Sequence, residues 1–225
     1  MVYISGDTHG FYHDFLKRLA DNEVEPDSTV IITGDFGFTA RPDDRDKQAA
    51  FLKLKKLPFQ FCFADGNHEQ FDVIYQCPVI EWCGGKVHKI ADNIYHLCRG
   101  EFYVIEGKSY FILGGAYSID KIFRCAGRTW FEQEQPSAEE YEHANRMLEK
   151  HNYTMDYVVT HTAPYSVIQT LGFSLFKEEA ELDSYLERLK DCATYKRWFF
   201  GHYHMDKSLL RGKFTVVHEK MIRIE

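Results

Sequence analysis

The chain has 225 residues, 44% of them hydrophobic and 16% aromatic, and carries a net charge of −7. That is enough apolar material for a substantial core, in one largish domain or two small ones. The acidic balance weighs against a protein that lives on non-specific contacts with a nucleic-acid backbone, although it leaves room for a local basic patch.

The opening "MVYISGDTHG" puts a five-residue apolar strand, Met1 to Ser5, directly before Asp7, a pattern unlike a secretory signal. Gly6 ends the strand and Gly10 allows a sharp turn, so Asp7 and His9 sit at a strand's carboxyl end, two residues apart and facing the same way. Phe11, Phe15, Leu16 and Leu19 then recur at helical spacing, and "STVIITGD" (28–35) reads as a second buried strand. Ala50, Leu54 and Leu57 suggest a helix ending at Pro58, and "FQFCFADGNHE" (59–69) is a third strand running into a loop. This βαβαβ order predicts parallel strands with helices packed on their faces.

The middle of the chain changes character. Residues 93–116 are β-rich runs separated by Gly, read as adjacent antiparallel strands. Residues 117–136 have no clear period and form a long irregular, cap-like segment. Ser137 with Glu140 makes a capping box that starts a helix to about Lys150. "MDYVVTHTAP" is another strand, a helix follows around 178–190, "YKRWFFGHYH" repeats the strand-then-His pattern, and "KFTVVHEKMIRIE" closes the sheet. No repeat or linker divides the chain, which predicts a single domain over residues 1–225.

No run approaches the roughly 18 apolar residues of a membrane helix, so no membrane partner is expected. Cys62, Cys77, Cys83, Cys98, Cys125 and Cys192 form no C-x-x-C pair. They read as reduced thiols, mostly core, in a cytoplasmic protein and not as a zinc site. Oligomeric state has no reading in the sequence.

Five strands end in a polar cluster: Asp7/His9, Asp35 in "TGDFG", Asn67/His68 in "DGNHE", His161 in "VTHTAP", and His202/His204 in "FGHYH". A lone Asp or His after a strand is usually a turn residue or helix cap. Five in succession converge on one spot if the strands neighbour one another. The donors are oxygen and nitrogen, with no thiolate, which suits manganese, iron, zinc, nickel or cobalt. The set is too large for one ion and suits two that share a carboxylate. Two ions about 3.5–4 Å apart are a standard arrangement for phosphoester hydrolysis, in which one activates water and both offset charge on the attacking and leaving oxygens.

These ordered blocks, "GDTHG", "TGDFG", "DGNHE", "VTHTAP" and "GHYH", resemble those of the calcineurin-like metallophosphoesterases and run from residue 6 to residue 204. The resemblance implies a four-layer αββα sandwich of two mixed β-sheets flanked by helices. It also implies roles by position. Asp7, His9 and His204 would hold a first metal, Asp35 would bridge, and Asn67, His161 and His202 would hold a second. His68 would face the phosphate and protonate the leaving group.

The expected activity is dimetal-dependent hydrolysis of phosphomonoesters or phosphodiesters, with manganese the first choice of metal. The expected substrate is a phosphorylated small molecule, nucleotide or phosphopeptide. Two alternatives are a Ser/Thr-type protein phosphatase and a non-catalytic binding scaffold on the same fold. The first departs from the sequence at "GDFGFTARPDDR", where the protein phosphatases continue G-D-x-V-D-R-G and place a phosphate-gripping Arg; Arg41 and Arg45 are out of register with it. A scaffold would have lost ligands or the catalytic His, and this chain keeps every one. Within the irregular segment, Lys121, Arg124 and Arg128 stand beside Phe123, Trp130 and Phe131 and are expected to contact substrate.

Overall fold

A computed structural model describes residues 1–225. In chain order its elements are β1 (Val2–Ser5), α1 (Tyr12–Asp21), β2 (Thr29–Ile32), α2 (Arg45–Leu54), β3 (Gln60–Phe63), α3 (Phe71–Ile74), β4 (Val79–Trp82), β5 (Gly85–Ala91), β6 (Ile94–Leu97), β7 (Glu101–Ile105), β8 (Lys108–Leu113), α4 (Ala138–Lys150), β9 (Tyr157–Thr160), α5 (Tyr165–Leu171), α6 (Ala180–Cys192), β10 (Arg197–Phe200), β11 (Lys207–Leu209), β12 (Phe214–Val216) and β13 (Met221–Arg223). The strands form two mixed sheets, one ordered β13-β1-β2-β3-β6-β5-β4 and the other β11-β12-β10-β9-β8-β7. β1, β2, β3 and β6 run parallel, as do β8, β9, β10 and β12, and antiparallel strands flank both sets.

Successive side chains on a strand face opposite ways, so each strand serves two layers. In β1, Val2 and Ile4 pack between the sheets while Tyr3 packs against helices. Ile31 and Cys62 do the first job in β2 and β3, and Val30, Ile32, Phe61 and Phe63 do the second, against α1, α2 and α3. The other sheet mirrors this. Tyr157, Val159 and Phe199 face inward, and Val158, Trp198 and Phe200 face α4, α5 and α6. Three apolar clusters therefore fill the three interfaces of a four-layer αββα sandwich in one domain. No helix is long and apolar enough to cross a membrane.

Helix ends follow local chemistry. Ser137 and Glu140 make both halves of the capping box that starts α4. Asp44 caps α2 by accepting from Lys47 N–H.

The reading of residues 93–116 as one antiparallel set is corrected. β7 and β8 are an antiparallel hairpin, but β6 belongs to the other sheet, parallel to β3 and antiparallel to β5. The chain changes sheets between Leu97 and Glu101, where Arg99 is 4% exposed. Arg99 donates through Nε to Asp65 Oδ2 at 2.8 Å, through Nη2 to the same oxygen and to the Gln133 carbonyl at 2.6 Å, and through Nη1 to Glu140 Oε2 at 3.0 Å. One guanidinium thus ties the loop after β3, the end of the irregular segment and the start of α4 together.

Asp65 is fully buried, and burial alone would raise its pKa; Arg99, followed by His96, instead holds the carboxyl well below the usual range. Arg99→Ala leaves that carboxylate without its counter-ion and is expected to cost about 3–5 kcal/mol in urea unfolding. Arg99→Ala combined with Asp65→Asn should lose less than Arg99→Ala alone; an equal or larger loss would assign the effect to packing.

Candidate active site

All five polar clusters lie at the carboxyl ends of parallel strands, the edge where α/β sheets gather ligands. They divide three and two. Asp7/His9, Asp35 and Asn67/His68 follow β1, β2 and β3 in one sheet, and His161 and His202/His204 follow β9 and β10 in the other. Local backbone chemistry brings the two edges together. The N–H groups of Thr8 and His9 both donate to the Asp35 carbonyl, at 3.1 and 2.8 Å, which crosses the loops after β1 and β2. His202 N–H donates to both Asp7 carboxylate oxygens, at 3.2 and 3.1 Å, which joins the sheets. That approach needs Gly201, where a Cβ would overlap Asp7 Oδ1. Gly34, at φ +119°, clears the space filled by the His161 ring.

His9, Asp35, His202 and His204 all adopt left-handed backbone, at φ 48°, 49°, 66° and 46°. Such conformations cost about 1–3 kcal/mol each in non-glycine residues and cluster at functional sites. Arg18 of α1 supports the underside, donating to the Asp7 carbonyl from both terminal nitrogens at 3.1 Å.

Two groups of donor atoms result. Those of Asp7, His9 and His204 lie within 4.8 Å of one another, as do those of Asp7, Asp35 and His161. Asp7 is common to both groups. Asp35, the residue that the resemblance makes the bridge, spans them differently: Oδ2 lies 3.8 Å from His9 Nδ1, and Oδ1 lies 3.5 Å from His161 Nε2. Asn67 Nδ2 donates to Ser118 Oγ at 3.1 Å, which turns Oδ1 toward His161 Nε2, also at 3.1 Å. His161 Nδ1 donates to the Thr33 carbonyl at 2.9 Å and so fixes the ring with Nε2 facing the centre. The His202 and His161 rings meet edge-on with centroids 5.0 Å apart.

Asp7 and Asp35 are each 1% exposed, and burial alone would push both carboxyls up. The histidines, His161 foremost, outweigh burial and hold both below the usual range. His161 responds in kind: burial would lower it, but Asp35 and Asp7 push it up to about 10. His202 goes the other way, down to about 4, through burial and the neighbouring His161, so its ring is neutral. Nitrogen and oxygen atoms of the set also meet closely: His9 Nε2 and His204 Nε2 are 3.0 Å apart, and His161 Nε2 and Asn67 Oδ1 are 3.1 Å apart, each pair joined by a ring N–H. This mixed nitrogen and oxygen set around two buried carboxylates fits a pair of metal ions.

His68 and Arg124 stand at the open side. His68 N–H donates to Asp35 Oδ1 at 2.7 Å. Arg124, with a side chain 8% exposed, is held by Asp120 at 2.7 Å and by the Asn67 and Thr129 carbonyls at 3.3 and 3.2 Å. Its Nη2 lies 2.7 Å from His68 Nε2. Burial and the Arg124 charge pull His68 below its ordinary pKa, against the attraction of Asp35.

The other two cations expected at substrate are placed elsewhere. Lys121 sits over the Trp130 ring, 3.9 Å from its centroid, and Arg128 is exposed and paired with Asp43 at 3.1 Å. Neither lines the cleft. Arg41 likewise turns away, to Asp72 at 2.8 Å and the Gly127 carbonyl at 2.7 Å.

The cleft over the site has a volume of about 550 Å³. Beyond the metal-ligand candidates and His68 it is lined by residues that the sequence reading passed over, among them Tyr117, Phe173, Phe176, Glu179 and Tyr203. Tyr203, inside "GHYH", had a positional signal and Glu179 stands at the start of α6; the three remaining aromatics come from loops with no period. Glu69, beside His68, was also missed. It accepts from Phe36 N–H at 2.7 Å and is pushed up to about 8 by burial and Asp35, so it braces the loop after β2.

No curated protein sequence matches the chain at a significant level. Among solved structures it is similar to a candidate 5′-nucleotidase from Staphylococcus aureus (14% identity, TM-score 0.49, covering 96% of this chain and 48% of that one). It is also similar to a phosphopantetheinyl hydrolase from Mycobacterium tuberculosis (13%, 0.49, 96% and 87%) and a 5′-nucleotidase from Candida albicans (14%, 0.45, 96% and 44%). The chain thus spans about half the length of the two nucleotidases. The model of the calcineurin-like phosphoesterases matches residues 1–206, a span that takes in every strand end from Asp7 to His204. On that match the chain belongs to the calcineurin-like phosphoesterase family, metal-dependent hydrolases of phosphoester bonds.

Proposed function

We propose that the chain hydrolyses phosphoesters of small molecules at a centre of two transition-metal ions, manganese first among them. The carrying observation is that two donor groups sharing Asp7 lie beside His68, which lines the cleft and is contacted by Arg124. In this reading Asp7, His9 and His204 would hold one ion, Asn67, His161 and His202 would hold the other, and Asp35 would serve both. Bound ions supply a water activated for attack and offset charge on the phosphoryl oxygens.

The chain's own residues do the rest. Hydrolysis forms a bond from phosphorus to the water oxygen and breaks the bond to the alcohol oxygen, which must take up a proton. In this reading His68 delivers that proton from a ring nitrogen. An anionic phosphate in front of it offsets the lowering by burial and Arg124. Arg124 is pre-oriented by Asp120 and two carbonyls, so its guanidinium meets the phosphoryl oxygens with little ordering cost. This segment therefore supplies the phosphate-side cation that Arg41 does not. A small phosphorylated substrate, nucleotides included, suits a cleft of this volume better than a folded phosphoprotein.

Chelator-treated protein should be inactive on p-nitrophenyl phosphate, and manganese should restore activity better than calcium, with about two ions per chain by metal analysis. Full activity without metal would refute the reading. Asp35→Asn should lose metal and rate together. His68→Ala should keep its metal and lose about 10²–10⁴-fold in turnover, less when the leaving group is nitrophenolate; loss of metal in His68→Ala would overturn the assigned role. Arg124→Ala should lower kcat/KM by about 10–100-fold, the worth of a hydrogen bond to a charged group. Arg128→Ala should stay close to wild type, and equal losses in the two variants would return Arg124 to a purely structural part.

A further inference from the structure

The cleft has two unlike kinds of lining. His68 lines it with the Arg124 guanidinium held behind, 2.7 Å from its ring. Tyr117, Phe173, Phe176 and Tyr203 line it with rings. The Tyr117 and Phe176 centroids lie 6.1 Å apart, and those of Phe173 and Tyr203 4.7 Å apart. The Tyr203 hydroxyl is engaged with Thr162 Oγ1 at 2.9 Å, so Tyr203 offers the cleft its ring.

Among these rings sits Glu179, which lines the cleft yet is only 4% exposed. Its Oε1 accepts from Tyr117 N–H at 2.8 Å; no lysine, arginine or histidine pairs with it, and its second oxygen has no protein partner. Asp183, one turn along α6 and 2% exposed, also lacks a counter-ion, and its Oδ1 has no hydrogen-bond partner. Of the other two carboxylates lining the cleft, Asp35 belongs to the candidate metal-ligand set and Asp120 is neutralised by Arg124 at 2.7 Å. Burial pushes Glu179 up to about 7, so charging it costs free energy that an arriving cation would offset.

A buried carboxyl without a partner is costly to keep. A neutral ring in this cleft would find stacking surface but leave that cost standing. An ammonium group meets both features, because ring faces attract cations and the carboxylate completes the pair. We propose that Glu179 and the four rings form the subsite for the alcohol part of the substrate, and that this part carries an ammonium group. The inference rests on the phosphoesterase reading above and adds the class of ester. The phosphate lies toward His68 and Arg124, and the cation lies toward Glu179.

The test pairs each cationic ester with its uncharged isostere. For monoesters the pair is phosphocholine and 3,3-dimethylbutyl phosphate. For diesters it is p-nitrophenyl phosphocholine and p-nitrophenyl 3,3-dimethylbutyl phosphate. With manganese bound, the wild type should prefer the cation by at least about tenfold in kcat/KM in the pair that it cleaves. Read within each protein, that ratio should fall toward one in Glu179→Gln and several-fold in Phe176→Leu, whose exposed side chain makes misfolding an unlikely confounder. Without turnover, calorimetry should show choline binding that Glu179→Gln weakens at least about threefold. Cleavage of p-nitrophenyl phosphate with no preference in either pair, with neither member of either pair cleaved, or with a preference that both variants retain overturns this inference and leaves the reaction class standing. Failure to cleave any of the five esters overturns the phosphoesterase reading and this inference with it.

Discussion

Two almost fully buried carboxylates, Asp7 and Asp35, set the terms for the rest of the molecule. They sit at the ends of neighbouring parallel strands, where their charges repel and burial penalises both. Such a pair is tolerable only with positive charge close by, and the fold supplies it from the opposite sheet through His161 and His204. That arrangement goes with close backbone approaches at Gly34 and Gly201 and left-handed backbone at His9, Asp35, His202 and His204. The strain is local, and the three apolar clusters around it hold the edges in place.

Away from the centre, a second buried ion pair works in another way. Asp65 and Arg99 neutralise each other, and their spare hydrogen-bonding capacity anchors the irregular segment at its far end. At its near end Ser118 holds Asn67, and Arg124 holds His68. Both ends of this segment are therefore fastened to the loop after β3, the stretch that carries the proton-transfer candidate. A long loop with only two short 3-10 turns, Lys121–Phe123 and Glu132–Glu134, is thus fastened by charged and polar contacts together with Phe131, which is buried against Phe71.

Much of this was legible from short-range pattern. The short buried runs of β1, β2 and β3, the capping box of α4 and the five strand-end clusters are properties of a few consecutive residues, and each appears where the sequence puts it. What was hidden depends on distant pairing. Nothing local says that β6 leaves its neighbours β7 and β8 for the other sheet, since all three are equally apolar runs between glycines. The hairpin of β4 and β5 and the seven-residue helix α5 carry too few residues for a clear period. Lys121 and Arg128 looked equivalent to Arg124 in sequence. They separate in space because Trp130 and Asp43 offer two of them better partners than the cleft. Glu179 looked like any acidic residue near a helix start until burial removed its solvent.

The pairing of β13 with β1 has a further consequence, for assembly. β1 carries the first two candidate ligands, yet one of its two flanks is covered only by residues 221–223, more than two hundred positions downstream. During synthesis from the amino end, β1, β2 and β3 can pair as soon as they emerge, but they do so as an open-edged sheet. Its inner face also waits for β8 to β10. Contacts of such sequence separation are slow to form, and an exposed edge invites pairing with other chains in the interval. The architecture that lets two sheets share one centre thus ties together strands more than two hundred positions apart and lengthens the time for which a nascent copy is vulnerable.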